Sequence, residues 1–321
     1  MGLYAIVDLP HPFGMSAEAV TRAVLGDRLD GGTRGAAFVQ LRAKEASTAE
    51  RVDLLATMLP WCEQAKVPLV VNDDIEAALQ SSPSIGVHLG QDDPGASDLL
   101  RLRARAALRG RLSTTIGLST HTLPQLREAG RRGADYLAFG PVLTTTSKRN
   151  PDPVVGFEGL LQACRLSTAP LVAIGGLGAE EGRRAIEMGA RYVAVIRGLV
   201  ADSEQGVRER ALHLSDTFAA AAEPLSLEEV HRFVPVFPIA QLREIARWSD
   251  DIGLHIEMGL PARFRPLVAG GEVRYRRCDV LDLLEALGKH PNETWEQWSL
   301  RTEQSKDDEN VAPLVRLRRS R

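Results

Sequence analysis

Cysteine is scarce in this 321-residue chain: Cys62, Cys164 and Cys278 stand far apart and in no metal-ligand spacing. That excludes a disulfide scaffold and suits a reducing compartment, where the three thiols read as small buried hydrophobes. An excess of charge of one sign is missing too. The formal net charge is -3, so the chain as a whole does not attract nucleic acid or anionic membrane, and only its C-terminal third offers a local basic patch. No apolar run approaches membrane-spanning length, and residues 1–9 lack the basic flank and long apolar core of a secretory leader. A soluble, cytoplasmic protein that does not engage a membrane is expected. Two catalytic signatures are also absent. No G-x-G-x-x-G turn follows the first predicted strand, and no G-x-S-x-G elbow surrounds any serine.

What is present is alternation. With 44% hydrophobic residues, the chain can bury one large core and has length left for a second, small domain. Apolar runs at 3–8, 36–42, 68–73, 84–90, 114–119, 136–140, 170–176 and 192–197 read as strands. Helical spacing follows each of them, at 16–29, 48–59, 74–79, 97–108, 122–131, 157–164, 179–188 and 202–221. Eight such units in about 220 residues match the economy of a closed (β/α)8 TIM barrel, assigned here to residues 1–222. A doubly wound open sheet is the alternative. It is disfavoured because no glycine fingerprint is present and because polar residues mark the ends of nearly all eight strands, which share one mouth in a barrel.

The stretch Tyr136 to Lys148, Y-L-A-F-G-P-V-L-T-T-T-S-K, shows the pattern in one place. A doubly covered strand is stopped by Gly140-Pro141 and empties into a loop of hydroxyls and one ammonium, among them Thr145, Thr146, Ser147 and Lys148. At the second strand end, Gln40, Arg42 and Lys44 point one way while Leu41 and Ala43 point the other. Two cations on one face suit a bound polyanion. Asn72-Asp73 and Asp92-Asp93 bring carboxylates to neighbouring strand ends. Beside those cations, Asp73 and Asp93 suit Mg2+ and a phosphate ester. Ser119 ends the fifth strand and is not a triad serine, and His88, within the fourth strand, reads as a core histidine or one that supports a neighbouring site residue rather than a catalytic one. Gly175-Gly176 and Ile196-Arg197-Gly198 end the last two strands, where barrels often hold a phosphate on bare backbone N–H groups.

In order along the chain, V-Q-L-R-A-K, V-N-D-D, G-V-H-L-G-Q-D-D, G-L-S-T-H-T, G-A-D-Y-L-A-F-G-P-V-L-T-T-T-S-K, V-A-I-G-G-L and V-A-V-I-R-G-L resemble the thiamine phosphate synthase family, from Leu3 to about Leu199. The resemblance implies a (β/α)8 barrel that couples hydroxymethylpyrimidine pyrophosphate to thiazole phosphate and releases pyrophosphate with Mg2+ present. It implies substrate contacts from the run Gln40, Leu41, Arg42, Ala43 and Lys44, with Asn72, Ser119 and Lys148 on the pyrimidine pyrophosphate. Asp73 and Asp93 would hold the metal, and Thr145, Thr146, Ser147, Gly176, Ile196 and Arg197 would face the thiazole phosphate. Arg42, Ser119 and Lys148 would serve catalysis. Three positions depart from the family: Thr144 stands where proline is common, Ser147 for threonine and Arg197 for serine. Two alternatives stay open, a related thiazole tautomerase and a non-catalytic sensor of thiamine precursors acting through the C-terminal domain.

Glu223-Pro224 marks a boundary, beyond which a small, mostly helical domain is expected over 223–290 and a tail without order over 291–321. Helical spacing at 225–232, 240–248 and 279–287 flanks a strand-like alternation at 272–277. This part resembles the wing and closing helix of excisionase-like winged helix-turn-helix domains, which implies nucleic-acid binding through Arg263, Arg265, Arg274, Arg276 and Arg277. A docking or oligomerisation module with those arginines on a solvated face is the alternative. None of these motifs sets the oligomeric state.

Overall fold

A computed structural model describes residues 1–110, 114–145, 152–235, 237–248, 264, 266–269, 272–289 and 293–304. Two compact units divide the chain, Met1–Ala221 and Ala222–Arg321.

The first unit is a closed eight-stranded parallel barrel with sequential strand order. Its strands are β1 (Gly2–Leu9), β2 (Phe38–Ala43), β3 (Leu69–Asn72), β4 (Ile85–Leu89), β5 (Ile116–Thr120), β6 (Tyr136–Phe139), β7 (Leu171–Ile174) and β8 (Tyr192–Val195). Pairing of Gly2 with Tyr192 and of Tyr4 with Ala194 joins the first strand to the last. The intervening helices are α1 (Ala17–Leu25), α2 (Thr48–Gln64), α3 (Ile75–Gln80), α4 (Leu99–Ala107), α5 (Leu123–Arg131), α6 (Gly156–Leu166), α7 (Ala179–Glu187) and α8 (Glu204–Ala222). Local chemistry starts several of them. Ser16 accepts from Ala19 N–H at the start of α1, Ser47 and Glu50 form a capping box on α2, and Thr122 and Gln125 do the same on α5.

Strand alternation sorts the side chains. Leu3, Val7, Val39, Leu41, Val71, Leu89, Leu118, Leu137 and Val193 are fully buried on the outward set that faces the helix layer, as the two-residue period requires. Tyr4, Ile6, Phe38, Val70, Tyr136, Ala138, Val172 and Ala194 form a separate cluster inside the barrel. Tyr4 stacks on Phe38 with ring centroids 4.6 Å apart, and Tyr136 tilts onto both. These rings fill the lower interior, and the upper interior is left to polar groups.

The second unit runs from α9 (Leu227–Phe233) and α10 (Ile239–Trp248) through an antiparallel hairpin, β9 (Leu267–Ala269) with β10 (Glu272–Arg274), to α11 (Arg277–Ala286) and α12 (Trp295–Gln304). Val230, Phe237, Leu242, Ile245, Phe264, Tyr275, Leu283 and Trp298 build its core, all of them fully buried. Two expectations change here. Pairing begins at Leu267, ahead of the predicted strand, because a lone strand needs a partner for its backbone. Chain order also continues past residue 291: Trp298 is buried and its indole N–H donates to Leu287 O at 3.0 Å, which anchors α12. Of the five arginines proposed as a basic face, Arg276 closes a capping box on the buried Asp279 at 2.8 Å, and Arg274 pairs with Glu272 at 3.3 Å. Arg263 and Arg265 lie outside the described residues.

Candidate active site

A cavity of about 650 Å³ opens where the eight strands end. Into it come Gln40, Arg42 and Lys44 from the end of β2, Asn72 and Asp73 after β3, Asp93 after β4, and Ser119 from β5. Thr145, Gly176, Ile196 and Arg197 line the same cavity from the last three strand ends. Leu41 and Ala43 do not: both are buried on the outward set, so they reach the mouth only as spacers between the three polar positions. Thr146, Ser147 and Lys148 lie outside the described residues.

Arg42 is held from one side. Its Nη1 donates to Asp8 Oδ1, and Asp8 is its register partner at the end of β1. A guanidinium has five N–H donors in a fixed fork, so this ion pair orients the rest of the group rather than consuming it. The sequence shows β1 ending in a carboxylate, but nothing in the local pattern marks Asp8 as a partner of Arg42. That pairing appears only once the parallel register sets the two side by side.

Asp73 has a left-handed backbone, φ 64°, just beyond β3. Burial and the neighbouring Asp93 carboxyl, which shares a hydrogen bond with it, push its pKa up to about 6. The Lys44 ammonium and the Asn72 amide act in the opposite direction. Asp93 accepts from Gly90 N–H at 2.6 Å, which fixes it over the turn. Two carboxyls set this close form a site short of positive charge, and an oxygen-only donor pair fits a hard divalent cation. No cluster of three or more metal-type side chains occurs among the described residues, so water and phosphate oxygens would have to complete such a shell, as is common for Mg2+.

The glycines act differently from expectation. A Cβ on Gly175 would lie 2.5 Å from Pro141, and one on Gly176 would lie 2.6 Å from Thr144 O. Both have positive φ, 100° and 71°. Their bare faces are therefore filled by the loop after β6, which hydrogen-bonds along β7 through Val142 N–H to Ile174 O and Leu143 N–H to Gly175 O. Glycine here allows two strand ends to lie flush and the chain to turn, which is what aims the backbone at the mouth.

Sequence reasoning found only part of what holds these groups. His88, read as a core or supporting histidine, contacts Ser119 Oγ through Nε2 at 2.9 Å and the Tyr136 hydroxyl through Nδ1 at 2.9 Å, partners the sequence did not name. Gln91 donates to Ser119 O. His121 also lines the cavity, its Nδ1 2.6 Å from Gly140 O and its Nε2 3.4 Å from Asp152. The available signal was polarity on inward positions of β4 and β6, which a barrel interior rarely carries without partners.

Fold and site together define a (β/α)8 barrel with a charged, polar mouth at its strand ends. Comparison narrows this. The family model described as thiamine monophosphate synthase matches residues 3–199. Thiamine-phosphate synthase of Koribacter versatilis is 38% identical over 207 residues, covering 64% of this chain and 92% of the relative. That of Chloroflexus aurantiacus is 33% identical over 210 residues, 65% of this chain and 90% of the relative. A probable thiamine biosynthetic bifunctional enzyme of rice is 35% identical over 203 residues, and the match takes in 34% of that longer protein. The solved structure of thiamine phosphate pyrophosphorylase from Pyrococcus furiosus superposes with a TM-score of 0.56 at 27% identity, over 68% of this chain and 96% of that one. The chain belongs to the thiamine monophosphate synthase family, a family of transferases. Among the described residues no helix is long and apolar enough to cross a membrane.

Proposed function

We propose that this chain joins hydroxymethylpyrimidine pyrophosphate to thiazole phosphate, forming thiamine phosphate and pyrophosphate. The observation that carries the reading is convergence: Gln40, Arg42, Lys44, Asn72, Asp73, Asp93, Ser119, Gly176, Ile196 and Arg197 come from six strand ends and line one cavity, in a member of this family. Mg2+, held by Asp73 and Asp93, would supply positive charge to the oxygens of the departing pyrophosphate. Arg42, oriented in part by Asp8, offers a fixed positive charge to the same group, and Lys44 adds a mobile one. Lys148 belongs to the same task by its place in the motif. As the bond from the pyrimidine methylene to oxygen breaks, the side-chain cations Arg42, Lys44 and Lys148 offset the negative charge that builds on oxygen. The methylene becomes electron-poor, and the thiazole nitrogen donates its lone pair to it. No proton leaves carbon, so no general base is assigned there. Gln40, Asn72 and Ser119 orient the pyrimidine, and the turns at Gly176 and Ile196 with Arg197 and Thr145 hold the thiazole phosphate. Alignment and preorganised charge are the terms this asks of the protein.

A coupling assay with purified chain, both phosphorylated substrates and Mg2+ tests this. Thiamine phosphate and pyrophosphate should appear together, and omission of the metal should suppress both. Folded, metal-loaded protein that forms neither product would favour the sensor.

For the second unit, the order α9, α10, hairpin and α11 supports a nucleic-acid-binding module. Two of its arginines are already matched by acids, so binding would rest on the rest of the unit. It should weaken steeply with salt, and absence of binding at low salt would leave a protein-docking module.

A further inference from the structure

Along the inner wall of the cavity runs a chain of hydrogen bonds that no step above uses. Gln40 Nε2 is 3.1 Å from the Tyr4 hydroxyl, and the Tyr4 and Tyr136 hydroxyls are 2.9 Å apart. The Tyr136 hydroxyl is 2.9 Å from His88 Nδ1, and His88 Nε2 is 2.9 Å from Ser119 Oγ. Five side chains from five strands thus join two residues that face the substrate. The backbone makes room for the crossing. His88, Gly117 and Tyr136 stand side by side in register on β4, β5 and β6. A Cβ on Gly117 would sit 2.0 Å from the Tyr136 ring. Over that bare glycine the phenol stacks on the imidazole, with centroids 5.5 Å apart and planes at 18°. Burial pushes both phenols above their usual pKa, so each keeps one proton to donate.

Direction then follows link by link. An amide nitrogen only donates, so the Tyr4 oxygen accepts from Gln40. Tyr4 is buried, so its own proton also needs an acceptor, and the Tyr136 oxygen is the one beside it. The Tyr136 proton must go on to His88 Nδ1, which is therefore bare. His88 carries its proton on Nε2 and donates it to Ser119 Oγ. Ser119, already accepting, turns its proton to the cavity, and Gln40, with its nitrogen engaged, presents its oxygen.

We propose that this wire fixes the hydrogen-bond polarity at the ring-binding end of the mouth, Gln40 as acceptor and Ser119 as donor. It thereby selects an aminopyrimidine over its oxo counterpart of the same shape. An aminopyrimidine offers an N–H donor next to a bare ring nitrogen, and the oxo ring presents the reverse, a carbonyl next to a ring N–H. Tyr4, Tyr136 and His88 are positioning residues in this scheme. The choice of ring rests on the synthase reading, and the wiring itself does not.

Nitrogen-15 NMR of the full-length, substrate-free chain reads the wire directly, with the His88 signals assigned by their loss in His88→Gln. The proton should be on Nε2. Gln40→Glu puts an acceptor-only carboxylate at the head of the wire, so the His88 proton should move to Nδ1, three hydrogen bonds away. A wild-type proton on Nδ1, or a tautomer indifferent to Gln40→Glu, overturns the proposal. Should that variant fail to fold, calorimetric titration of the wild type with hydroxymethylpyrimidine and its oxo counterpart gives a second test. The amino form should bind about 5- to 150-fold tighter, the range expected when a swapped donor and acceptor leave a buried partner unmet. Tyr136→Phe, which cuts the wire midway, should shrink that ratio. Equal affinity of the wild type for both rings sinks the proposal. An Nε2 proton in a chain without coupling activity would sink the synthase reading alone, and an Nδ1 proton in an active chain would sink the wiring alone.

Discussion

The two halves of the mouth are made of different material. From β1 to β5 it is built of side chains: Arg42 aimed by Asp8, the Asp73 and Asp93 pair, and Ser119 wired to Gln40. From β6 to β8 it is built of backbone, with the loop after β6 laid along β7 over Gly175 and Gly176. The first half can be disarmed by deleting atoms and the second by adding them. The split suits a reaction in which one substrate loses a highly charged leaving group while the other only needs to be held.

Deletion in the first half should have the largest effect. Arg42→Ala removes a charged grip on the leaving group and strands Asp8, and pyrophosphate release should fall about 10²- to 10³-fold, the usual loss for one preorganised donor. A drop below tenfold would mean that Lys44 and the metal carry the charge without it. Addition in the second half comes next. In Gly176→Ala a methyl meets Thr144 O in a left-handed turn, so thermal denaturation should reveal a loss of roughly 1–3 kcal/mol. The Michaelis constant for thiazole phosphate should rise while that for the pyrimidine substrate holds. If both constants rise together, the two halves are not separable.

The third test uses acid. Asp73 titrates at about 6 rather than near its ordinary 3.8, through burial and the Asp93 carboxyl. In cation-free buffer the folded chain keeps a proton there that the unfolded chain has already lost. Stability from this group is therefore full below the ordinary value and lost as pH rises through about 6. The melting temperature in chelator should fall between pH 5 and 7 more in the wild type than in Asp73→Asn. Added Mg2+ should recover stability above pH 6 but not below, where the proton competes for the site. Equal pH slopes in the two proteins would remove Asp73 from the metal site. The smallest effect belongs to Arg197, which is exposed at the rim. Solvent screening reduces an exposed charge contact to roughly 0.2–1 kcal/mol, so Arg197→Ser should weaken thiazole phosphate by about two- to fivefold. An unchanged constant would make Arg197 structural only.

The barrel was legible in the sequence because a parallel strand covered on both faces writes an uninterrupted apolar run and each crossover writes a helical period. Arg42 and Lys44 were legible for a related reason: charge on alternate residues of an apolar strand has few explanations. The link between His88 and Tyr136 was not. Each looks like an ordinary core residue, and their connection depends on the absent side chain of Gly117, a relation between three strands that no single stretch encodes. Asp8 was hidden in the same way, since its partner is 34 residues away. In the C-terminal unit the helices α9 and α10 were visible from their spacing. Helix α12 was not, because one buried tryptophan anchors a segment whose composition is otherwise that of a solvated tail.

The packed rings of Tyr4, Phe38 and Tyr136 have a further consequence. They cork the lower end of the barrel and make it a cul-de-sac. Whatever enters must back out past the point where it came in, and a ring seated against Gln40 and Ser119 lies behind anything bound at the rim. Traffic through such a dead end has an order set by depth: the innermost guest is the first to arrive and the last free to leave.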